Sequence, residues 1–306
     1  MAVLFIGFLM LGRQSLEAQS RRAALVTQLR FAVTLQDLRT VLIIRRQLGH
    51  EQSRRRPWIR TKQGHGSYVE WQRTMHGLLR FPLSRILRVV SLSIVAGFAG
   101  LGVLEGTVPL AIVGGVAFFL IGLEMLEPLA QEIDHGDRTD GYPVERGPMY
   151  LRLTHASLAL SIPLAAIWIA TIGTFHAQWW AVAGIGVLPA VAAGLAGAAI
   201  NIVSGAPDPV ASSAQSNLMP PEVAGTANVT KAMWPVVVAV TGQIPLVAAQ
   251  GAAERGQGPE AAAVRSAIAI VLVCGLVAAW IHRRDAIRAW MENAARESRT
   301  TSRGVS

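Results

Sequence analysis

Long stretches almost without charge recur along this 306-residue chain, and no other feature restricts its fold as much. A run of about 20 apolar residues matches the hydrocarbon thickness of a bilayer once it is helical. In hydrocarbon a helix meets every backbone hydrogen-bonding need within itself. Six such runs are legible: Val89–Leu104, Val108–Leu126, Leu153–Phe175, Trp179–Val203, Met233–Ala249 and Val264–Ile281. The first two read as a tight hairpin around Glu105-Gly106-Thr107. Composition agrees: 52% of residues are hydrophobic and 15% charged, with a mean hydropathy of +0.40, whereas soluble domains carry about 25% charged residues. The expectation is an all-α, polytopic transmembrane helical bundle rather than a soluble enzyme.

Details within the runs fit the same reading. Ala190, Gly194 and Ala198 repeat at four-residue intervals, a spacing that lets helices approach closely. Pro163, Pro189, Pro235 and Pro245 fall inside spans, where neighbouring helices can serve the freed carbonyls. Trp179, Trp180 and Trp280 fall at expected interfaces.

Outside the six runs, the chain divides into an N-terminal segment, a basic region and a C-terminal tail. Residues 1–12 are apolar but too short to span, and read as the last half of a transmembrane helix that begins upstream. Residues 13–88 are polar and basic. Within them Leu25, Leu29, Ala32, Leu35, Leu38 and Leu42 form one apolar stripe at helical spacing. Arg21, Arg22, Arg30, Asp37 and Arg39 interrupt it too often for a span, so a cytoplasmic amphipathic helix on the membrane is expected. Met75–Leu87 resumes a short amphipathic run into the six-span domain, residues 89–282, and residues 283–306 form a tail.

Orientation follows from the cations. With the basic region inside, all of the 28 Lys and Arg residues except Arg255 and Arg265 lie on the cytoplasmic side, and the C-terminus returns there. The reverse orientation opposes the cytoplasmic bias of Lys and Arg. The same placement beside apolar runs explains the net charge of +9 through anionic lipid and topology, without nucleic acid as a partner. Cys274, the only cysteine, can form no internal disulfide and reads as a small buried hydrophobe.

The segment Glu127–Arg152 is the most distinctive loop. Its acidic start sits on an otherwise basic face, where anionic headgroups would repel it. Glu127, Glu132, Asp134, Asp137, Arg138 and Asp140 are the candidate residues for docking a partner protein; a solvated connector is the plainer alternative. Glu124, near the inner end of the second full span, is the candidate intramembrane polar group, unless it simply reaches the interface. Glu105 and His176 mark outer helix ends.

Asp134, His135, Asp137 and His155 match no spacing with known ligand geometry, so no metal is expected. Asp140-Gly141 lacks the accompanying residues of a phospholipid head-group transferase. No Gly-x-x-x-x-Gly-Lys-Ser/Thr, Gly-x-Ser-x-Gly or His-Glu-x-x-His occurs, so no catalytic residue or cofactor is assigned. Any ATP-driven work then needs ATP bound by another chain. The long connection Asn201–Lys231, with Pro220-Pro221-Glu222, is expected to run on the cytoplasmic side.

Three stretches carry a resemblance. They are Gln28-Leu29-Arg30-Phe31-Ala32-Val33-Thr34-Leu35-Gln36-Asp37-Leu38-Arg39-Thr40-Val41 with Arg54-Arg55-Arg56-Pro57-Trp58, then Glu127-Pro128-Leu129-Ala130-Gln131-Glu132-Ile133-Asp134, then Pro220-Pro221-Glu222-Val223-Ala224-Gly225. The chain resembles actinobacterial membrane proteins grouped with the ABC-2-type exporter permeases. That resemblance implies about six spans per unit, a pair of permease units, a separate ATPase subunit and cytoplasmic loops that form the coupling contacts. The short apolar N-terminus departs from the pattern. Two other expectations stand beside the exporter subunit: a non-transporting membrane scaffold of an envelope complex, and a membrane-embedded enzyme, for which no constellation is found.

Overall fold

The computed structural model describes residues 57–59, 69–134, 145–204 and 233–303, with isolated positions 23, 26 and 27. The side chains of 69, 134, 288, 289 and 291–303 fall outside that description. The apolar N-terminus, the stripe Leu25–Leu42 and the connection from 205 to 232 lie outside the described residues as well. Two compact units divide the chain, one comprising residues 1–56 and 80–82 and the other residues 57–79 and 83–306. The second is described below.

Among the described residues every regular element is helical. In chain order these are α1 (Val69–Leu78), α2 (Leu83–Leu104), α3 (Leu110–Met125), α4 (Glu127–Asp134) and α5 (Arg146–Phe175). A 3₁₀ turn (Ala177–Trp179) leads into α6 (Trp180–Ser204); α7 (Met233–Thr241), α8 (Ile244–Glu254) and α9 (Pro259–Arg303) follow. Four candidate spans are long and apolar enough to cross a membrane: α2, α5, the 3₁₀ turn with α6, and Pro259–Ile287 of α9. Two bent pairs, α3–α4 and α7–α8, raise the number to as many as six. The fold is compatible with a multi-pass membrane protein. The run Met75–Leu87 is not continuous, because α1 stops at Leu78 and Pro82 precedes the first residue of α2.

Two chain reversals have the same chemistry. At the end of α2, Gly106 takes φ +101°, its N–H reaches the Val103 carbonyl at 3.0 Å, and the Thr107 N–H reaches that of Gly102 at 2.8 Å. At the end of α8, Gly256 (φ +67°) bonds Ala253 at 3.0 Å and Gln257 bonds Ala252 at 2.9 Å. Both are Schellman caps, which use a left-handed residue to satisfy the last carbonyls. Gly106 and Gln250 lie side by side, so the two reversals share one end of the bundle.

The seam of small residues lies at the centre. A Cβ on Gly194 of α6 would stand 2.7 Å from the Phe118 carbonyl oxygen, and one on Gly122 of α3 would stand 2.6 Å from that of Gly194. Gly197 abuts the Pro235 carbonyl, and Gly242 meets Ala190 and Pro189. These contacts bring α3, α6 and α7 to backbone distance, as small faces permit in lipid. On the α2–α5 side, Gly100 seats Trp168, whose Nε1–H donates to the Ala96 carbonyl at 3.0 Å; the Trp168 ring stands edge-on to Phe118. The Ser93 hydroxyl donates to the Leu164 carbonyl at 2.6 Å, one residue beyond Pro163.

The last apolar run continues as helix into the region expected as a C-terminal tail: α9 runs from Pro259 through Arg303. Its 45 residues extend about 68 Å at 1.5 Å each, roughly twice the hydrocarbon thickness.

Candidate functional site: an ion-paired elbow

The end of the bundle opposite Gly106 holds most of the described charge pairs. The cause is local. Pro128 has no N–H to give the Glu124 carbonyl, and α4 leaves α3 at 58°. The Ser157 hydroxyl of α5 donates to the Met125 carbonyl at 2.7 Å, serving the group at the bend. Leu126 and Leu129 are fully buried beneath the elbow, and Pro128 approaches Gly77 of α1.

Four carboxylates and four guanidinium groups meet around this elbow. Arg85 and Arg88 are three residues apart on α2 and therefore share a face. Both donate to Glu124, Arg85 through Nε and Arg88 through Nη2. Arg85 also reaches Glu127 through Nη2 at 3.1 Å. Arg73 of α1 pairs with Glu132 of α4 at 2.5 Å, and Arg152 of α5 with Glu70 of α1 at 3.4 Å. One apparatus thus ties α1, α2, α3, α4 and α5 together. Glu127 is 7% exposed and Glu132 6%, so their charges are directed into the protein rather than outward. Burial of this kind is tolerated because each carboxylate faces a cation. Glu132 still holds one carboxylate oxygen, Oε2, without a partner among the described residues.

The sequence-derived candidates therefore separate. Glu124, Glu127 and Glu132 come together in the elbow. Asp134 ends α4, with its side chain outside the described residues, and Asp137, Arg138 and Asp140 lie outside them altogether. Residue spacing did not identify Arg73, Arg85 or Arg88 as partners. The available signal was a pair of arginines on one face of α2, at the start of an apolar run, with Glu124 and Glu127 at the far end of the next run. A hairpin of two spans brings those ends together. At the opposite end, Glu105 and His176 pair at 2.9 Å in an exposed position.

Among the described residues no group of His, Cys, Asp or Glu is placed to hold a metal ion. A small crevice between α3, α5 and α6 is lined by Phe118, Ile121, Gly122, Ser161, Leu164, Val191 and Leu195. Its one hydroxyl, on Ser161, donates within its own helix to the Ser157 carbonyl at 2.9 Å, so the crevice wall is hydrocarbon. Comparison with protein-family models, curated proteins and solved structures finds no match.

Proposed function

We propose that this chain is the membrane subunit of an exporter driven by a separate ATPase, with two such subunits forming the path. It sits in the cell membrane with the elbow, the basic amphipathic region and the C-terminus on the cytoplasmic side. The observation that carries the reading is α4: a short helix set at 58° to α3 and held by ion pairs to two neighbouring helices, α1 and α2. A partner pressing on such an element moves α2, α3 and α5 together, whereas a slack loop would absorb the push. The ATPase docks on the segment that begins at α4, including Asp137, Arg138 and Asp140, while Glu124, Glu127 and Glu132 hold that segment against the bundle. ATP binding shifts the spans only through contacts that differ between the two states.

The test is affinity purification of the full chain from its native membranes in mild detergent. Recovery of an ATPase in stoichiometric amount, whose hydrolysis rate falls when Arg73→Ala loosens α4, supports the reading. Recovery of envelope proteins without any ATPase overturns it in favour of the scaffold.

A further inference from the structure

Gln243 is a deeply buried polar side chain whose hydrogen-bonding needs are unmet. It is 1% exposed, and neither Oε1 nor Nε2 has a partner among the described residues. Other polar groups at that depth are served: Ser93 donates to the Leu164 carbonyl, and Thr74 to that of Glu70. An unpaired amide in an apolar surround is strongly unfavourable, and so an uncommon feature of native interiors.

The surroundings of Gln243 point the same way. Gly242 and Gln243 form the break between α7 and α8, which are bent by 45°. Pro245 has no N–H, so the Thr241 carbonyl loses its ordinary donor four residues on. Backbone broken at membrane depth is found where it is buried in protein or lines water. Across the interface, Gly114 of α3 makes room for the amide: a Cβ there would stand 3.1 Å from Oε1 of Gln243. Polar groups also step outward from this point. Gln250 is seven residues on, within about 20° of the same helix face. It is buried, and its Nε2 donates at 2.5 Å to Glu254, which is exposed at the end of α8.

We propose that the α7–α8 break is a water-binding site inside the bundle. Water there donates to Oε1 of Gln243 and to the Thr241 carbonyl and accepts from Nε2, matching the roughly three hydrogen bonds that a buried water makes. It exchanges with bulk along the Gln250–Glu254 edge. The inference stands on α3, α7 and α8 and is independent of the exporter reading.

Radiolytic hydroxyl-radical footprinting of the purified full chain in lipid nanodiscs tests it, since bound water generates the radical where it sits. Oxidation at Pro245 and Leu246, normalised to intrinsic reactivity, is expected about tenfold above that at Ile172 and Val182, which are equally buried. In Gln243→Leu the signal is expected to drop to the control level, and the variant to melt no higher than the native chain. Two results overturn the proposal. One is oxidation at Leu246 no faster than at the controls. The other is a Gln243→Leu variant of raised melting temperature, because an amide that is truly dry and unpaired gains from replacement by an apolar side chain of similar size.

Discussion

Removing the Arg85 guanidinium tests whether the elbow is held by buried charge. Arg85 and Glu127 have side chains 17% and 9% exposed and lie 3.1 Å apart, while Arg152 and Glu70, at 49% and 28%, lie 3.4 Å apart in far more water. Arg85→Met deprives Glu127 of this cation and leaves Glu124 with Arg88. Truncating one partner of a buried pair costs about 3–5 kcal/mol. Because Arg88 remains, the lower end applies, about 3 kcal/mol, or roughly a hundredfold in the folded-to-unfolded ratio. Arg152→Met breaks an exposed pair and costs under about 1 kcal/mol. The assay is reversible unfolding by SDS in mixed micelles. Adding Glu127→Met to Arg85→Met removes the carboxylate that faced this cation, so the double variant is expected to be more stable than the sum of the single losses by about 1–3 kcal/mol. If Arg85→Met costs no more than Arg152→Met, or the double variant is additive, the elbow is not held by this pair and the argument fails.

Three further outcomes follow from the same contacts. Gly194→Val is expected to abolish the folded, monodisperse protein in size-exclusion chromatography, because the Phe118 carbonyl lies 2.7 Å from where the Cβ would sit; Gly184→Ala, with nothing within 4 Å, leaves the elution profile unchanged. Trp168→Phe leaves the Ala96 carbonyl without its indole donor and is expected to cost about 1 kcal/mol in the same SDS titration, near the value of an interhelical hydrogen bond in lipid. A fluorescent protein fused after Ser306 is expected to fold and fluoresce on the cytoplasmic side; a dark fusion together with an active alkaline phosphatase fusion at that position reverses the proposed orientation.

The apolar runs were legible because span length and low charge are properties of the sequence itself. The Ala190–Gly194–Ala198 face was legible for a similar reason, since a four-residue period survives whatever the partner helix is. Partners were not legible. Glu124 could be read as an interfacial carboxylate, but only the α2–α3 hairpin sets Arg85 and Arg88 beside it. Gln243 was passed over because one amide scarcely lowers the hydropathy of the run Met233–Ala249; its distinction is a lack of partners, which exists only in three dimensions. The continuous α9 was likewise hidden, because its charged second half reads as a tail when weighed for membrane crossing rather than for helical continuity.

Lipid offers little hydrophobic incentive for helices to associate, so close backbone contact and polar bonds must do it. The distribution of burial follows: 61% of the apolar stretch of α6 is buried against 17% of that of α9, whose Leu272 and Leu276 face outward at no cost in hydrocarbon. Within this framework the two bent pairs differ. Both bends occur beside a proline, Pro128 or Pro245, which withholds a backbone donor. At the α3–α4 bend, Ser157 serves the Met125 carbonyl and Arg73 and Arg85 hold α4, so the bend has fixed partners in three other helices. At the α7–α8 bend, the neighbouring α3 surface is glycine, and the Gln243 amide has no fixed partner among the described residues. A break with fixed side-chain partners transmits force, whereas the α7–α8 break, packed through Gly242 against Ala190 and Pro189, leaves its amide to water. If the bundle has more than one state, the elbow therefore moves as a rigid part of α2, α3 and α5.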